Sequence, residues 1–357
     1  MNYRENLMST KDFRQTYIDG LERMIKVRQQ ESEKKRAAYA ERIFTDPESY
    51  RADFKKMLGW PLVDHQDDRI PTVKTVKLAD EEGYSIYRMQ FEILDGLEMT
   101  GLYFQMHGDE KKPLVLVQHG GAGTPERISG IYGDTSNYNR MLERVIAHGV
   151  HAFAPQLLLW DKKYEVPFDR VDVDVRLKRV GSSITAVELY GMMRMLDYFE
   201  TREEVSCFGM VGLSYGGFYT LFLSALDERI KSAISCSFFN TRDLYGRSDW
   251  TWAHAAEQFD DAEIACLVYP RKLCIELGTK DALFGYESGK IAYEKLNALC
   301  ADVGTEWLSF VPFEGTHEFC KDDLPIEQLI DHLRDEEQNI KTESEENGTE
   351  RLYRYKN

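Results

Sequence analysis

Between residues 10 and 44 apolar positions recur at steps of three and four: Phe13, Tyr17, Ile18, Leu21, Met24 and Ile25. That period predicts an amphipathic helix. The run 29–36, QQESEKKR, interrupts the stripe and reads as a solvated stretch. A second helix is predicted to start at Asp46, with Pro47 in its first position, and to stop at Gly59 ahead of Trp60-Pro61. These N-terminal helices are a candidate homo-oligomer contact; packing on their own domain is the favoured alternative.

Past residue 72 the period shortens to two. The runs 73–78, 84–94 and 100–106 predict antiparallel strands, with Asp95-Gly96 marking a turn. From there apolar runs alternate with helical stretches. Strands are predicted at Leu114–Gln118, Val150–Ala154, Cys207–Val211, Ser232–Ser237, Lys272–Leu277 and Trp307–Pro312. Helices are predicted near 136–148, 182–200, 215–226, 286–302 and 324–334. Such alternation belongs to an α/β protein: a mostly parallel central sheet with helices on both faces, preceded here by N-terminal antiparallel strands. The stretch from about 335 is charged and poor in apolar residues, as expected of a mobile tail. The chain thus divides into a helical N-terminal extension (1–44), one α/β domain (45–335) and a charged C-terminal tail (336–357).

Composition narrows the picture. Of 357 residues, 43% are hydrophobic, enough for a large core. With 45 basic against 61 acidic residues the net charge is −16, which argues against nucleic acid or an anionic membrane as a partner. The 6 cysteines form no C-x-x-C pair. Cys207, Cys236 and Cys274 lie in or beside apolar strand-like runs, so reduced, buried thiols are expected. The start, MNYRENLMST, has no apolar signal region, and no run of 18 apolar residues occurs. A cytoplasmic location is the expectation.

The sharpest chemical signal is Gly212-Leu213-Ser214-Tyr215-Gly216-Gly217, set between an apolar strand and a helix-like run. A G-x-S-x-G string in that context places a serine on a strained turn, with its hydroxyl above the sheet. Small residues at 212 and 216 let neighbouring backbone come close, and the helix start favours developing negative charge. A serine hydroxyl needs a base, and the base needs an orienting acid. His317, directly after a predicted strand, is the candidate base. His254 and His332 are weaker choices. Asp281, at the end of Lys272–Leu277, is the candidate acid. The strand Leu114–Gln118 runs into His119-Gly120-Gly121-Ala122-Gly123. There the Gly121 amide, together with that of Tyr215, is the candidate oxyanion hole. A dinucleotide fingerprint in this loop is broken, because its third glycine falls at Glu126. No metal or cofactor is expected. Trp160, Phe238, Trp250 and Trp252 are candidate substrate-binding residues, and the long segment 239–268 is either a lid or a short helix against the core. Arg179 is a candidate loop brace, and Lys178 a solvated charge.

The strings HGGAG, GLSYGG, GTKD and GTHEF, in that order, resemble the α/β-hydrolase fold. More narrowly the chain is similar to bacterial acetyl-xylan-esterase-like and dienelactone-hydrolase-like proteins, over roughly residues 45–335. The resemblance implies serine-dependent hydrolysis of carboxylic esters, often acetyl esters of sugars, without a metal. The partner is then a small-molecule or carbohydrate ester. The dienelactone subgroup uses a cysteine nucleophile, which Ser214 does not support. Two rival readings stay open here: a prolyl-oligopeptidase-like serine peptidase, and a non-catalytic binding protein on a hydrolase fold.

Overall fold

Alternating side chains on buried strands build the centre of the molecule. The computed structural model describes residues 1–60, 69–94, 96–164, 166–242 and 245–354. Nine strands form one sheet: β1 (Val73–Glu81), β2 (Tyr84–Leu94), β3 (Leu97–Met106), β4 (Lys112–Gln118), β5 (His151–Pro155), β6 (Val205–Leu213), β7 (Ile230–Cys236), β8 (Lys272–Gly278) and β9 (Leu308–Phe313). Their spatial order is β1-β2-β3-β5-β4-β6-β7-β8-β9. The first three are antiparallel, β3 meets β5 antiparallel, and β5 through β9 run parallel. The mostly parallel sheet and its antiparallel start therefore stand as the sequence implies.

The two faces of β4 show why these runs are almost wholly apolar. Leu114 and Leu116 enter one core with helices α2 (Pro47–Leu58), α6 (Ile184–Glu200), α7 (Tyr215–Leu226), α8 (Asp261–Cys266) and α9 (Tyr286–Leu299). Val115 and Val117 enter the other, with α4 (Met141–Ile146) and α10 (Leu324–Arg354). A strand covered on both faces has no polar side to show. Short helix α3 (Pro125–Ile128) follows β4, and α5 (Arg170–Arg179) follows β5. The chain runs from β4 outward to β5, then returns past β4 to β6. This is the topological switch point, where the carboxyl ends of strands in open α/β sheets frame a crevice.

Both predicted N-terminal helices form, but the first buries other positions than its pattern implies. Helix α2 has the foreseen stops: Asp46 caps its start through the Ser49 amide, and Gly59 ends it in a left-handed conformation, φ 72°. Helix α1 (Lys11–Ala40) buries only Arg36 and Ala40. Its last turns pack on the 255–263 segment, where Arg36 meets Asp260 and Glu263. The expected solvated run 29–36 therefore ends in a buried arginine. The apolar stripe does the reverse: Phe13, Tyr17, Ile18, Met24 and Ile25 are exposed. Its packing on the same domain is confined to the C-terminal turns. Helix α10 continues to Arg354, twenty residues past the expected end of that helix. All six cysteines are free; five are buried and Cys274 is half-buried.

Candidate active site

The serine sits where β6 turns into α7. Ser214 has φ 62° and ψ −120°, left-handed backbone that a non-glycine residue adopts only under constraint. Its neighbours supply the constraint. A Cβ on Gly216 would lie 2.1 Å from the Gln118 carbonyl oxygen, and one on Gly212 would lie 2.4 Å from that of Gly216. The Ser214 amide donates to the Cys236 carbonyl at 2.9 Å, tying the turn to β7.

The loop after β4 uses its amides selectively. Gly120 N–H donates to the Tyr138 hydroxyl at 2.9 Å, Ala122 N–H to the Leu159 carbonyl at 2.7 Å, and Gly123 N–H to the Gly120 carbonyl at 3.2 Å. Gly121 N–H is left without a partner among the described residues, and so is Tyr215 N–H at the first position of α7. These are the two amides the sequence singles out. His119 orients the loop from beneath. It is fully buried, which pushes its pKa down to about 4 and keeps the ring neutral. Leu157 N–H donates to its Nε2 at 3.2 Å, so Nδ1 carries the proton and donates to the Gly120 carbonyl at 2.9 Å.

Asp281 and His317 come together from the ends of β8 and β9. His317 Nδ1 donates to Asp281 Oδ2 at 2.8 Å. Asp281 Oδ1 accepts from the amides of Leu283 (2.8 Å) and Phe284 (3.0 Å). Burial works to raise the Asp281 pKa, but these hydrogen bonds, with that from His317 foremost, outweigh it and hold the carboxyl below the usual range. With Nδ1–H committed to Asp281, a neutral His317 keeps Nε2 as an acceptor. The Phe284 ring stacks on the imidazole, 5.7 Å between centroids. The next residue, Glu318, reaches back towards the serine turn: its carbonyl accepts from Cys236 Sγ and Ser237 Oγ, beside the carbonyl that takes the Ser214 amide. Ser214, Asp281 and His317 thus share one sheet edge.

The brace between these loops leaves no mark in the sequence. A single turn, 136–138, joins them: Asn137 Nδ2 donates to the His317 carbonyl at 3.0 Å, while Tyr138 takes the Gly120 amide. Polar loop residues without periodicity carry no pattern that marks such a role.

The expected pocket walls fall into two groups. Phe238 and Trp250 do flank the site, within an aromatic cluster that includes Tyr215 and Phe284. Both are buried, at 1% and 8% exposure, so they back the site instead of presenting a stacking surface. Trp160 lines a cleft of about 880 Å³ between the start of β3 and helices α5 and α6, and its indole N–H donates to the Val166 carbonyl. Trp252 packs near Phe222 with Arg242 and Lys178 over its ring. None of the described contacts of Trp160 or Trp252 involves Ser214, Asp281 or His317. The 248–268 part of the long segment contributes Trp250, Phe259 and helix α8 to the core, so it packs as a short helix against the core. His254 is exposed, with its side chain beside Glu257.

Two basic residues depart from expectation. Arg179 is exposed and makes no ion pair among the described residues. Lys178, expected in solvent, pairs with buried Asp174 at 2.9 Å and donates to the carbonyls of Ser248 and Thr251. The brace expected of Arg179 is supplied by Arg170, one end of α5 away. Among the described residues no group of three or more His, Cys, Asp or Glu is placed to hold a metal ion, and no helix is long and apolar enough to cross a membrane.

Sheet order, serine turn and loop positions define the α/β-hydrolase fold. The solved structures bear this out. A Bacteroides fragilis NCTC 9343 protein described as "a putative acetyl xylan esterase" superposes with a TM-score of 0.63 at 16% identity, over 77% of this chain and 76% of that one. A glucuronoyl esterase from Solibacter usitatus superposes at 0.58 and 12% identity, over 82% and 93%. Among curated proteins, "Putative hydrolase YtaP" of Bacillus subtilis (strain 168) is 25% identical over 272 residues, 71% of this chain and 89% of that protein. No family model matches the chain.

Proposed function

We propose that the protein is a serine hydrolase of carboxylic esters, acting on short-acyl, chiefly acetyl, esters of a small molecule or carbohydrate. One observation carries this: His317 is hydrogen-bonded to Asp281 at 2.8 Å on the edge where Ser214 sits in a strained turn, flanked by two amides without partners among the described residues. The names of the structural neighbours support the ester class, and that of the Bacillus relative supports a hydrolase.

Ser214 Oγ attacks the ester carbonyl as His317 Nε2 removes its proton. Asp281 keeps Nδ1 protonated and stabilises the imidazolium that forms. The carbonyl oxygen becomes an oxyanion, which accepts from the Gly121 and Tyr215 amides; one such donor is worth about 3 kcal/mol of barrier. The C–O bond then breaks, and His317 passes its proton to the leaving alcohol. Water, deprotonated by the same nitrogen, adds to the acyl-enzyme and releases the acid and Ser214. Ser214 Oγ has no hydrogen bond to a described residue here, so the Oγ–Nε2 bond closes in the substrate complex.

Turnover of p-nitrophenyl acetate is the direct test. Ser214→Ala should bring it to near background, and full activity in that variant would refute the assignment. A panel of acetylated sugars and longer acyl esters then places the acyl and alcohol preferences.

A further inference from the structure

Helix α5 sends one guanidinium into the interior that the reaction scheme leaves unused. Arg170 is 6% exposed. Its Nε donates to Asp249 Oδ2 at 2.7 Å. Nη1 donates to the Leu158 carbonyl at 3.0 Å and to Glu188 Oε1 at 3.1 Å. Nη2 donates to Glu188 Oε2 at 2.8 Å and to the Tyr219 hydroxyl at 2.7 Å. Tyr219 in turn donates to Glu188. No side-chain nitrogen or oxygen of Arg170, Glu188, Asp249, Tyr215 or Tyr219 is left buried without a partner. Arg247 adds a longer contact to Asp249 Oδ1, 3.4 Å, so two cations face two carboxylates.

Two arms leave this centre. The first runs through Asp249, whose Oδ2 also accepts from the Tyr215 hydroxyl at 2.7 Å. Tyr215 supplies one of the free amides. The second runs through Leu158, whose amide donates to Glu188 Oε1 at 2.7 Å while its carbonyl accepts from Arg170. The residues on either side of Leu158 hold the glycine loop: Leu157 N–H binds His119, and the Leu159 carbonyl takes the Ala122 amide. His119 and Ala122 bracket Gly121, the source of the other free amide.

We infer that Arg170 is a positioning residue that fixes the two oxyanion donors relative to each other, from behind the site and without touching substrate. The inference rests on the serine-hydrolase reading. Its physical basis is that oxyanion donors work by being preorganised, so that their spacing governs the barrier. A displacement of about 1 Å costs on the order of 10²-fold in rate. Binding of the ground-state ester depends on that spacing much less.

The test separates positioning from plain structural support by comparing kcat, KM and two inhibitors. A simple boronic acid adds to Ser214 as a tetrahedral anion and reads the oxyanion site; the product acid reads the ground state. Tyr215→Phe cuts the first arm without stranding a charge. It should lower kcat about 10-fold, raise the boronate Ki in parallel, and leave KM and the product Ki within about twofold. Arg170→Lys keeps the charge but loses the fork, and should lower kcat by about 10² with the same split. Folding of both variants is checked by their melting curves. Equal kcat and boronate Ki in two folded variants would overturn the inference, as would equal losses in KM and kcat. A wild-type protein neither inhibited by boronate nor labelled by a fluorophosphonate would remove the hydrolase reading itself. An active wild type with unaffected variants removes only the role of Arg170.

Discussion

Asp281, bonded to His317, and Asp249, bonded to Tyr215, are two aspartates that the fold treats differently. Asp281 gives one oxygen to two backbone amides and the other to His317, whose side chain keeps 18% of its surface exposed. Asp249, fully buried, shares Oδ2 between Arg170 and the Tyr215 hydroxyl. Both carboxyls are held below the usual range, and in both burial works against that. Around Asp249 the charge and hydrogen bond of Arg170 outweigh it; around Asp281 the His317 hydrogen bond and backbone amides do so. The difference fits the work each flank has under the proposed chemistry. A base that must gain and lose a proton keeps one firm partner and an open nitrogen. A framework that must hold two amides still gains from a closed, fully paired network.

Breaking each flank should therefore do different damage. The largest effect is expected on the His317 side: Asp281→Asn leaves the ring in the wrong tautomer and should lower kcat by about 10⁴. Melting temperature should change little by comparison. On the other flank, Asp249→Ala leaves Arg170 short of a buried partner. It should cost about 3–5 kcal/mol of stability, read as the denaturant midpoint. If Asp249→Ala matched wild-type stability, the contrast between the flanks would be wrong.

A third buried carboxyl sharpens the comparison through pH. Glu276 is fully buried, and burial pushes its pKa up to about 7 against weaker opposing hydrogen bonds from the Cys236 side chain and the Cys320 backbone. A raised carboxyl contributes stability that is present below its unfolded value and lost as pH rises through the folded one. Between roughly pH 4.5 and 7, Glu276 should cost up to about 1.4 kcal/mol per pH unit, and Glu276→Gln should flatten the stability profile there. Asp281 and Asp249 act in the opposite sense. Their contribution is present above the unfolded value and lost as pH falls through their depressed folded values. The smallest effect belongs to the exposed stripe of α1. Phe13→Ser or Ile18→Ser should alter the stability of the isolated chain by less than about 0.5 kcal/mol and leave p-nitrophenyl acetate turnover unchanged.

Much of this layout is legible in the sequence, for a local reason. The serine turn, the Gly-rich loop, Asp281 and His317 each follow a short apolar strand, so strand–turn context marks them without knowledge of the fold. What the sequence hides is pairing across distance. Arg170 opens RVDVDVRLKR, whose valines alternate like a strand while the residues form a helix with Val171 and Val175 exposed. Nothing local ties it to Glu188 or Asp249. Trp160 and Trp252 look like pocket walls because aromatic residues after strand ends often are; tertiary packing sends one to a lateral cleft and the other towards Phe222. The stripe on α1 shows the same limit from the other side. Its period gives the helix and its apolar face, but only three-dimensional packing tells which turns are covered.

In the proposed chemistry Ser214 is a nucleophile activated by the His317–Asp281 pair. Intact-protein and peptide mass spectrometry after brief exposure to a fluorophosphonate tests it most directly. One adduct, located on Ser214, should form rapidly in the wild type and at a rate lower by orders of magnitude in His317→Ala. An unlabelled wild type, or equal labelling of the two proteins, would contradict it.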